Sequence, residues 1–142
     1  ENFGINLVTA FRSGQPYTQL QGPNPIFNSF ILPPAGRLNG DNLPWSTITN
    51  LRIDRRFDIG SSVGFTAFLW VQNLFNADNV LNVFRGSGLG DEDGWRTSGE
   101  GQDFLTNQEI PETASFLYGV RVANPTNYGI PHQVRLGLRV NF

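Results

Sequence analysis

Apolar and polar residues alternate along four segments of this chain, at about 2–13, 47–59, 63–76 and 131–142. The last segment is the most regular: apolar Val134, Leu136, Leu138 and Val140 alternate with Arg135, Gly137, Arg139 and Asn141. Successive side chains of a β-strand point to opposite faces of the sheet. The alternation therefore predicts four strands, each with one apolar face and one polar face.

Long and short connections alternate between these segments. Residues 18–45 and 84–128 have no clear period and contain many Pro, Gly and Asn residues, which predicts two long loops. Gly60-Ser61-Ser62 predicts a tight turn between the second and third strands. Within the second loop, the short apolar segment 116–122 is a candidate for a small extra strand.

Charged residues gather on the polar face of the predicted strands: Arg52, Asp54, Arg56, Asp58, Arg135 and Arg139. One interpretation is a charged interior that holds a plug or guides an anionic ligand. The favoured interpretation is cross-strand pairing of opposite charges, worth roughly 0.2–1 kcal/mol for each pair. Arg55 falls on the apolar face, where we expect a charge only if its long side chain reaches a membrane interface.

The composition departs from that of ordinary soluble domains. Charged residues make up 15% of the chain, against about 25% in globular proteins. Aromatic residues reach 13%, and Trp45, Trp70 and Tyr128 are candidates for aromatic girdles at bilayer interfaces, with loop anchoring as the alternative. No run approaches the ~20 apolar residues of a membrane-spanning helix. The net charge of −2 gives no indication of nucleic-acid binding.

A barrel wall accounts for both the two-faced strands and the alternating connections. Outer-membrane barrels turn apolar residues toward lipid and polar residues inward, with short periplasmic turns and long extracellular loops. The sequence therefore predicts an all-β fold, an antiparallel up-and-down transmembrane β-barrel with its carboxy-terminus in the periplasm. Single-chain bacterial barrels need at least ~8 strands. We therefore interpret residues 1–142 as the carboxy-terminal part of one barrel domain, with further strands upstream.

The end of the chain resembles the signal that the barrel-assembly machinery reads in outer-membrane barrels. The matching positions are Arg135, Gly137, Val140 and Phe142. Four internal segments resemble, in family order, segments of TonB-dependent receptors: 13–18 (Ser-Gly-Gln-Pro-Tyr-Thr), 51–57, 71–76 (Val-Gln-Asn-Leu-Phe-Asn) and 127–131. The resemblance is nearest to the receptors that carry a carboxypeptidase-regulatory-like amino-terminal domain.

This resemblance implies the last four strands of a barrel of about 22 strands. It also implies a plug domain and an amino-terminal segment that contacts the TonB complex, neither of which is in this sequence. The expected partners are outer-membrane lipid, the remaining barrel and plug, TonB and the assembly machinery. The expected activity is uptake of an unidentified substrate, without catalysis. The alternatives are an outer-membrane barrel with a structural or adhesive role, and a soluble β-rich module that binds carbohydrate or peptide.

Candidate chemistry outside the strands is sparse. His132 is the only histidine and there is no cysteine, so we interpret His132 as a strand-rim residue. Glu92, Asp93 and Trp95 are candidate ligand contacts, because an exposed aromatic beside acids suits sugars or peptides. No cofactor is expected. Calcium in the acidic segment 91–93 is the alternative, although Trp95 stands where a calcium loop has a further Asp or Asn.

Overall fold

The computed structural model describes residues 2–23, 25–26, 32–59 and 63–142. The chain separates into two compact units. The first, here called the sheet unit, comprises Glu1–Arg12, Trp45–Asn79 and Ile130–Phe142. The second, here called the loop unit, comprises Ser13–Pro44 and Val80–Gly129.

The described residues form six strands and two α-helices. The strands are β1 (Phe3–Arg12), β2 (Pro16–Tyr17), β3 (Asp41–Asn42), β4 (Ser46–Ile59), β5 (Val63–Gln72) and β6 (Gln133–Asn141). The helices are α1 (Gly99–Thr106) and α2 (Pro111–Val122), and a 3-10 turn follows at Pro125–Asn127. The long strands β1, β4, β5 and β6 confirm the four predicted strands, with boundaries that differ by a few residues.

The sheet unit is an antiparallel sheet with strand order β1-β4-β5-β6. Its register sets apolar residues side by side, as in the row Ile5, Ile53, Leu69 and Leu136. On the outer strands these residues are exposed, and Leu136 keeps 81% of its surface accessible. The apolar face of the sheet is therefore exposed on its outer strands, whereas Thr49 and Val71, at one end of the central strands, are buried.

The third predicted strand ends earlier than expected, at Gln72 instead of residue 76. Asn73 and Asn76 both adopt a left-handed backbone conformation, each with φ of 49°. A strand cannot continue through such a residue, and asparagine tolerates the conformation better than most side chains. Asn73 therefore terminates β5, and it also interrupts the alternation, because it stands at an apolar-face position and is followed by the apolar pair Leu74 and Phe75.

The sheet is open and is not closed into a barrel. Within the described residues, β1 and β6 pair with a neighbouring strand on one side only. The predicted tight turn at residues 60–62 lies outside the described residues. The long connections from β1 to β4 and from β5 to β6 join strands at one end of the sheet, as the predicted alternation requires.

The loop unit contains regular structure where the sequence predicted long loops. The short strands β2 and β3 pair with each other, and α1 and α2 lie within the second predicted loop. The extra strand predicted at 116–122 is wrong, because these residues belong to α2. Pro111 begins this helix, with Glu112 in the first turn and Arg121 in the last, as the helix dipole favours.

The inward positions of α2 explain why a helix replaces the predicted strand. The less exposed residues are Ala114, Ser115, Tyr118, Gly119 and Val122. Their spacing of three and four residues is the helical period, not the strand period. Helix α1 begins at its N-cap Ser98, whose side chain accepts a hydrogen bond from Gly101 N at 3.1 Å. Among the described residues, no helix has the length and apolar character to cross a membrane.

Candidate functional site

The six charged residues predicted for the polar face do lie on one face of the sheet. Ion pairs form along β4: Arg52 Nε lies 3.4 Å from Asp54 Oδ1, and Arg56 Nε lies 2.7 Å from Asp58 Oδ1. The predicted cross-strand pairing of these charges is wrong. The residues directly opposite them in β1 and β5 are uncharged: Gly4, Asn6, Gly64, Thr66, Phe68 and Trp70. The nearest counter-ion is therefore two residues away in the same strand.

Arginine and aromatic side chains stack across the middle of the polar face. The guanidinium carbon of Arg52 lies 5.6 Å from the centre of the Phe68 ring, and that of Arg135 lies 5.1 Å from the Trp70 ring. Exposed contacts of this kind contribute about 0.5–1 kcal/mol each. The register sets Phe68 opposite Asp54 and Gly137, and Trp70 opposite Arg52 and Arg135.

The polar face is positively charged along β6. Arg135 donates a hydrogen bond to Gln133 Oε1 at 3.3 Å, and neither Arg135 nor Arg139 forms an ion pair with an acid in the described part of the chain. Beside Trp70, a groove of about 280 Å³ is lined by Asn6, Val8, Asn50, Leu51, Arg52 and Trp70. Amide and guanidinium donors at this groove are suited to carboxylate or other anionic groups.

Three glycines on the polar face lie in close contact with a side chain of a neighbouring strand. A Cβ atom on Gly4 would lie 2.9 Å from Asp54 Oδ2, and one on Gly64 would lie 2.9 Å from Asp58 Oδ1. A Cβ atom on Gly137 would lie only 2.3 Å from Cζ of Phe68. These glycines therefore allow the bulky residues of the polar face to lie across adjacent strands.

The residues of the predicted assembly signal occupy both faces of β6 and its end. Arg135 and Gly137 lie on the polar face, opposite Trp70 and Phe68, whereas Val140 lies on the apolar face opposite Phe65. Phe142 follows the strand and is fully exposed. Gly137 thus has a packing role in the sheet that is independent of recognition by an assembly machine.

Asparagines of the segment 71–76 and their neighbour Asn79 connect the ends of β4, β5 and β6. Asn73 Nδ2 donates to the carbonyl oxygens of Ala77 and Ile130, each at 3.0 Å, and Asn73 Oδ1 accepts from Ala77 N at 2.9 Å. Asn79 Oδ1 accepts a hydrogen bond from Thr47 N at 2.7 Å, and Asn79 Nδ2 donates one to the carbonyl oxygen of Thr47 at 2.9 Å. This network gives a structural reason for the asparagines in the segment that resembles TonB-dependent receptors.

His132 belongs to the same network. Its backbone N–H donates to Asn76 Oδ1 at 3.0 Å, and its ring Nδ1 lies 3.1 Å from the carbonyl oxygen of Asn73. A carbonyl only accepts, so Nδ1 carries the proton in this contact. The position of His132 at the rim of β6 agrees with its interpretation as a structural residue.

The candidate ligand contacts Asp93 and Trp95 lie in the interior of the loop unit. Trp95 is 3% exposed and Asp93 is fully buried. Asp93 Oδ1 accepts a hydrogen bond from Trp95 N at 3.0 Å, while Oδ2 accepts from Ile26 N at 3.3 Å and from the Tyr118 hydroxyl. The premise that Trp95 is an exposed aromatic is therefore wrong, because its ring packs against Phe104 and Tyr118.

Glu92, the third candidate contact, pairs with Arg96. Arg96 donates to Glu92 Oε2 through Nε at 2.9 Å and also through a terminal nitrogen. Burial raises the pKa of Glu92, but the hydrogen bonds and charge of Arg96 outweigh it and hold the pKa below its usual range. Arg96 passes close to Gly119 of α2, where a Cβ atom would lie 2.7 Å from its guanidinium. Glu92 therefore fixes an arginine against α2.

No metal or catalytic centre emerges from these residues. Within the described ranges, no group of three or more His, Cys, Asp or Glu residues is arranged to hold a metal ion. The calcium alternative at 91–93 finds no support, because Glu92 faces Arg96 and Asp93 faces Tyr118 and backbone N–H groups.

The hydroxyl of Tyr118 gives the loop unit a pH dependence at the alkaline end. Burial, then the hydrogen bond to Asp93 and the negative charge of Asp93, raise the pKa of Tyr118 above its usual value. An unfolded chain ionises its tyrosines near pH ~10. The stabilisation from this raised pKa is therefore complete below that pH and is lost as the pH rises further.

We expect protection of the α2 amides from hydrogen exchange, after correction for the intrinsic exchange rate, to fall progressively as the pH rises above about 10. In Tyr118→Phe the fall in protection at alkaline pH should be largely absent. The control is Tyr17→Phe, which lies outside the pair of helices α1 and α2 and should retain the fall in protection. An unchanged alkaline dependence in Tyr118→Phe would contradict the assignment.

Comparison of the chain with protein-family models, with curated proteins and with solved structures finds no match.

Proposed function

We propose that the sheet unit is part of the wall of a transmembrane β-barrel in the bacterial outer membrane, and that the whole protein is a receptor of the TonB-dependent type. The observation that carries the proposal is the exposed apolar face of the sheet. Apolar patches beyond a few hundred Å² on soluble monomers are unusual and mark contact with a partner or a membrane. Here the patch extends along all four strands, with Ile5, Leu7, Leu136 and Leu138 each more than half exposed.

The dimensions of the sheet fit this proposal. Strand β1 has 10 residues, and a strand rises about 3.3 Å per residue, or about 33 Å for this length. At a tilt of ~40°, such a strand covers about 25 Å along the membrane normal, which is the height of the apolar band of outer-membrane barrels. Trp45, just before β4, is strongly exposed and suits a girdle. Trp70 does not suit a girdle, because it lies on the polar face.

The outer edges of the sheet support a larger barrel. Strands β1 and β6 present unpaired backbone groups on one side within the described chain. In hydrocarbon each such group costs several kcal/mol, so membrane-spanning sheets close on themselves. Further strands of the same protein, adding up to about 22 in this family, would satisfy both edges.

The polar face and the long connections support the receptor type within the barrel class. The polar face carries positive charge along β6 and would face the interior, where a plug domain provides the counter-charge. The connections at one end of the sheet would be the extracellular loops that contact the substrate. The resemblance of residues 13–18, 51–57, 71–76 and 127–131 to TonB-dependent receptors favours uptake over a structural or adhesive barrel.

The decisive experiment places a charge at an exposed apolar position. In water, an arginine at the highly exposed Leu136 is expected to change stability by less than about 0.5 kcal/mol. Facing the bilayer midplane, it costs about 2–4 kcal/mol. We therefore expect Leu136→Arg to reduce the amount of assembled full-length protein in outer membranes, measured as the heat-modifiable band on gels. Asn141→Arg, on the polar face of the same strand, is the matched control and should assemble normally.

Three other outcomes would contradict the proposal in whole or in part. If Leu136→Arg assembles as well as Asn141→Arg, the apolar face does not contact lipid. If the wild-type protein is soluble without detergent and shows no heat-dependent mobility, the soluble carbohydrate- or peptide-binding module becomes the better explanation. A heat-modifiable barrel whose full sequence lacks a plug would instead favour the structural or adhesive role.

A further inference from the structure

Arg55 is the single charged residue on the apolar face of the four long strands. The register sets it between Phe3 of β1 and Ala67 of β5, with Leu138 of β6 next in the same row. Two apolar rows, which include Phe57 and Ile59, separate it from the end of β4. Arg55 therefore has apolar neighbours in its own row and toward the end of β4, and its row is the last one that includes β1.

No acidic residue of the strands β1, β4, β5 and β6 shares the apolar face with Arg55. The adjacent arginines of β4 lie on the opposite face, where Asp54 and Asp58 pair with them. Arg55 takes part in none of the ion pairs of the described residues. Its guanidinium carbon instead lies 5.0 Å from the centre of the Phe57 ring. This contact sets the cation beside an aromatic ring of the apolar face.

A groove lies directly beside this cation. It measures about 550 Å³ and is lined by Ile53, Arg55, Ala67, Phe68, Leu69, Leu136, Gly137 and Leu138. The small side chain of Ala67, in a row of larger residues, contributes to this depression. Apart from Arg55, every lining residue is apolar or glycine. The groove therefore combines an apolar floor with one cationic edge.

A lone arginine in contact with hydrocarbon is costly, and intramembrane charges are retained where a partner or a function compensates for them. The partner must combine an anionic group with an apolar body, because the groove offers donors only at Arg55. Free inorganic phosphate would leave the apolar floor uncovered. A phospholipid satisfies both requirements, with a phosphate at the guanidinium and an acyl chain along the floor.

We propose that this groove is a binding site for an anionic phospholipid, with Arg55 holding the head-group phosphate and the surface over Ala67 holding an acyl chain. The inference rests on the proposed function, since it requires the apolar face to contact a bilayer. It assigns Arg55 a role in lipid selection, where the sequence pattern showed only a broken alternation.

The test uses the full-length protein in detergent micelles with equal amounts of phosphatidylglycerol and phosphatidylcholine of identical acyl chains. Native mass spectrometry counts the lipids that remain bound. We expect wild type to prefer phosphatidylglycerol by about tenfold, because both lipids offer a phosphate to Arg55 but the quaternary ammonium of phosphatidylcholine offsets its charge. Arg55→Gln should abolish the preference and Arg55→Lys should retain part of it.

Ala67→Leu should reduce retention of both lipids by filling the groove. Arg121→Gln, which removes an exposed arginine from α2, is the control and should resemble wild type.

Equal lipid preference in Arg55→Gln and wild type would overturn the lipid site. The heat-modifiable band of each variant, run on the same samples, reports barrel assembly independently. A heat-modifiable barrel without an Arg55-dependent preference would refute this site alone. A protein that is soluble without detergent would refute both proposals.

Discussion

Replacing Trp95 with alanine is expected to unfold the helix pair of the loop unit. The Trp95 ring lies 5.4 Å from the Phe104 ring of α1 and 4.7 Å from the Tyr118 ring of α2, measured between ring centres. Removing a buried aromatic side chain of this size costs about 3–5 kcal/mol. Helices of eight and 12 residues are too short to persist alone, since isolated helices below ~12–15 residues are marginal in water.

Hydrogen exchange of the α1 and α2 amides measures this effect. In Trp95→Ala they should exchange at nearly the rate of an unfolded chain, and protease cleavage within 96–122 should accelerate. Trp45→Ala is the matched control, because Trp45 is 72% exposed in the sheet unit and lies outside the helix pair. Persistent protection of α1 and α2 in Trp95→Ala would show that other contacts hold the pair together.

The strands of the sheet unit could be predicted because each alternates over nine or more residues. Alternation of this length specifies the secondary structure and also which residues share a face. Where the prediction failed, at the end of β5, the cause was the backbone conformation of Asn73. An apolar pattern contains no information about a left-handed residue, and the apolar Leu74 and Phe75 extended the prediction beyond Asn73, where the alternation is already broken.

The loop unit was harder to predict, because its fold depends on a few contacts between residues distant in sequence. Asp93 is hydrogen-bonded to Ile26 and Tyr118, which are 67 and 25 residues away. The seven residues 116–122 are too few to distinguish a strand from a helix by period alone. Pro111 and Glu112, just before that segment, are helix-start signals that favoured the helix.

The candidate site shows the same division between what the sequence does and does not determine. Placement of Arg52, Asp54, Arg56 and Asp58 on one face follows from alternation alone. The pairing partners of these four residues do not follow from alternation, because pairing depends on the register of the neighbouring strands. That register sets uncharged residues opposite all four. The cation–aromatic contacts and the glycines beneath large side chains are likewise consequences of register, so they could be identified only from the structure.

Replacing Gly137 with alanine is expected to disturb the polar face of β5 and β6. The new Cβ atom would lie 2.3 Å from Cζ and 2.6 Å from Cε1 of Phe68, far inside van der Waals contact. Phe68 would then have to move from its place beside Arg52, or the strands would have to separate. Overpacking of this kind costs about 1–3 kcal/mol. Thermal unfolding of the full-length protein in detergent should report the loss, and Gly36→Ala, where nothing lies within 4 Å of the new atom, should cause little change.

A double variant separates packing at Gly137 from its possible role in an assembly signal. If Gly137 is needed because Phe68 lies across it, Phe68→Ala should rescue Gly137→Ala, and the two substitutions should be strongly non-additive. If the assembly machinery reads the glycine itself, Gly137→Ala should reduce the amount of protein in outer membranes whether or not Phe68 is present. The contact with Phe68 leads us to expect rescue of both stability and yield. A double variant as poorly assembled as Gly137→Ala alone would assign the glycine to the signal.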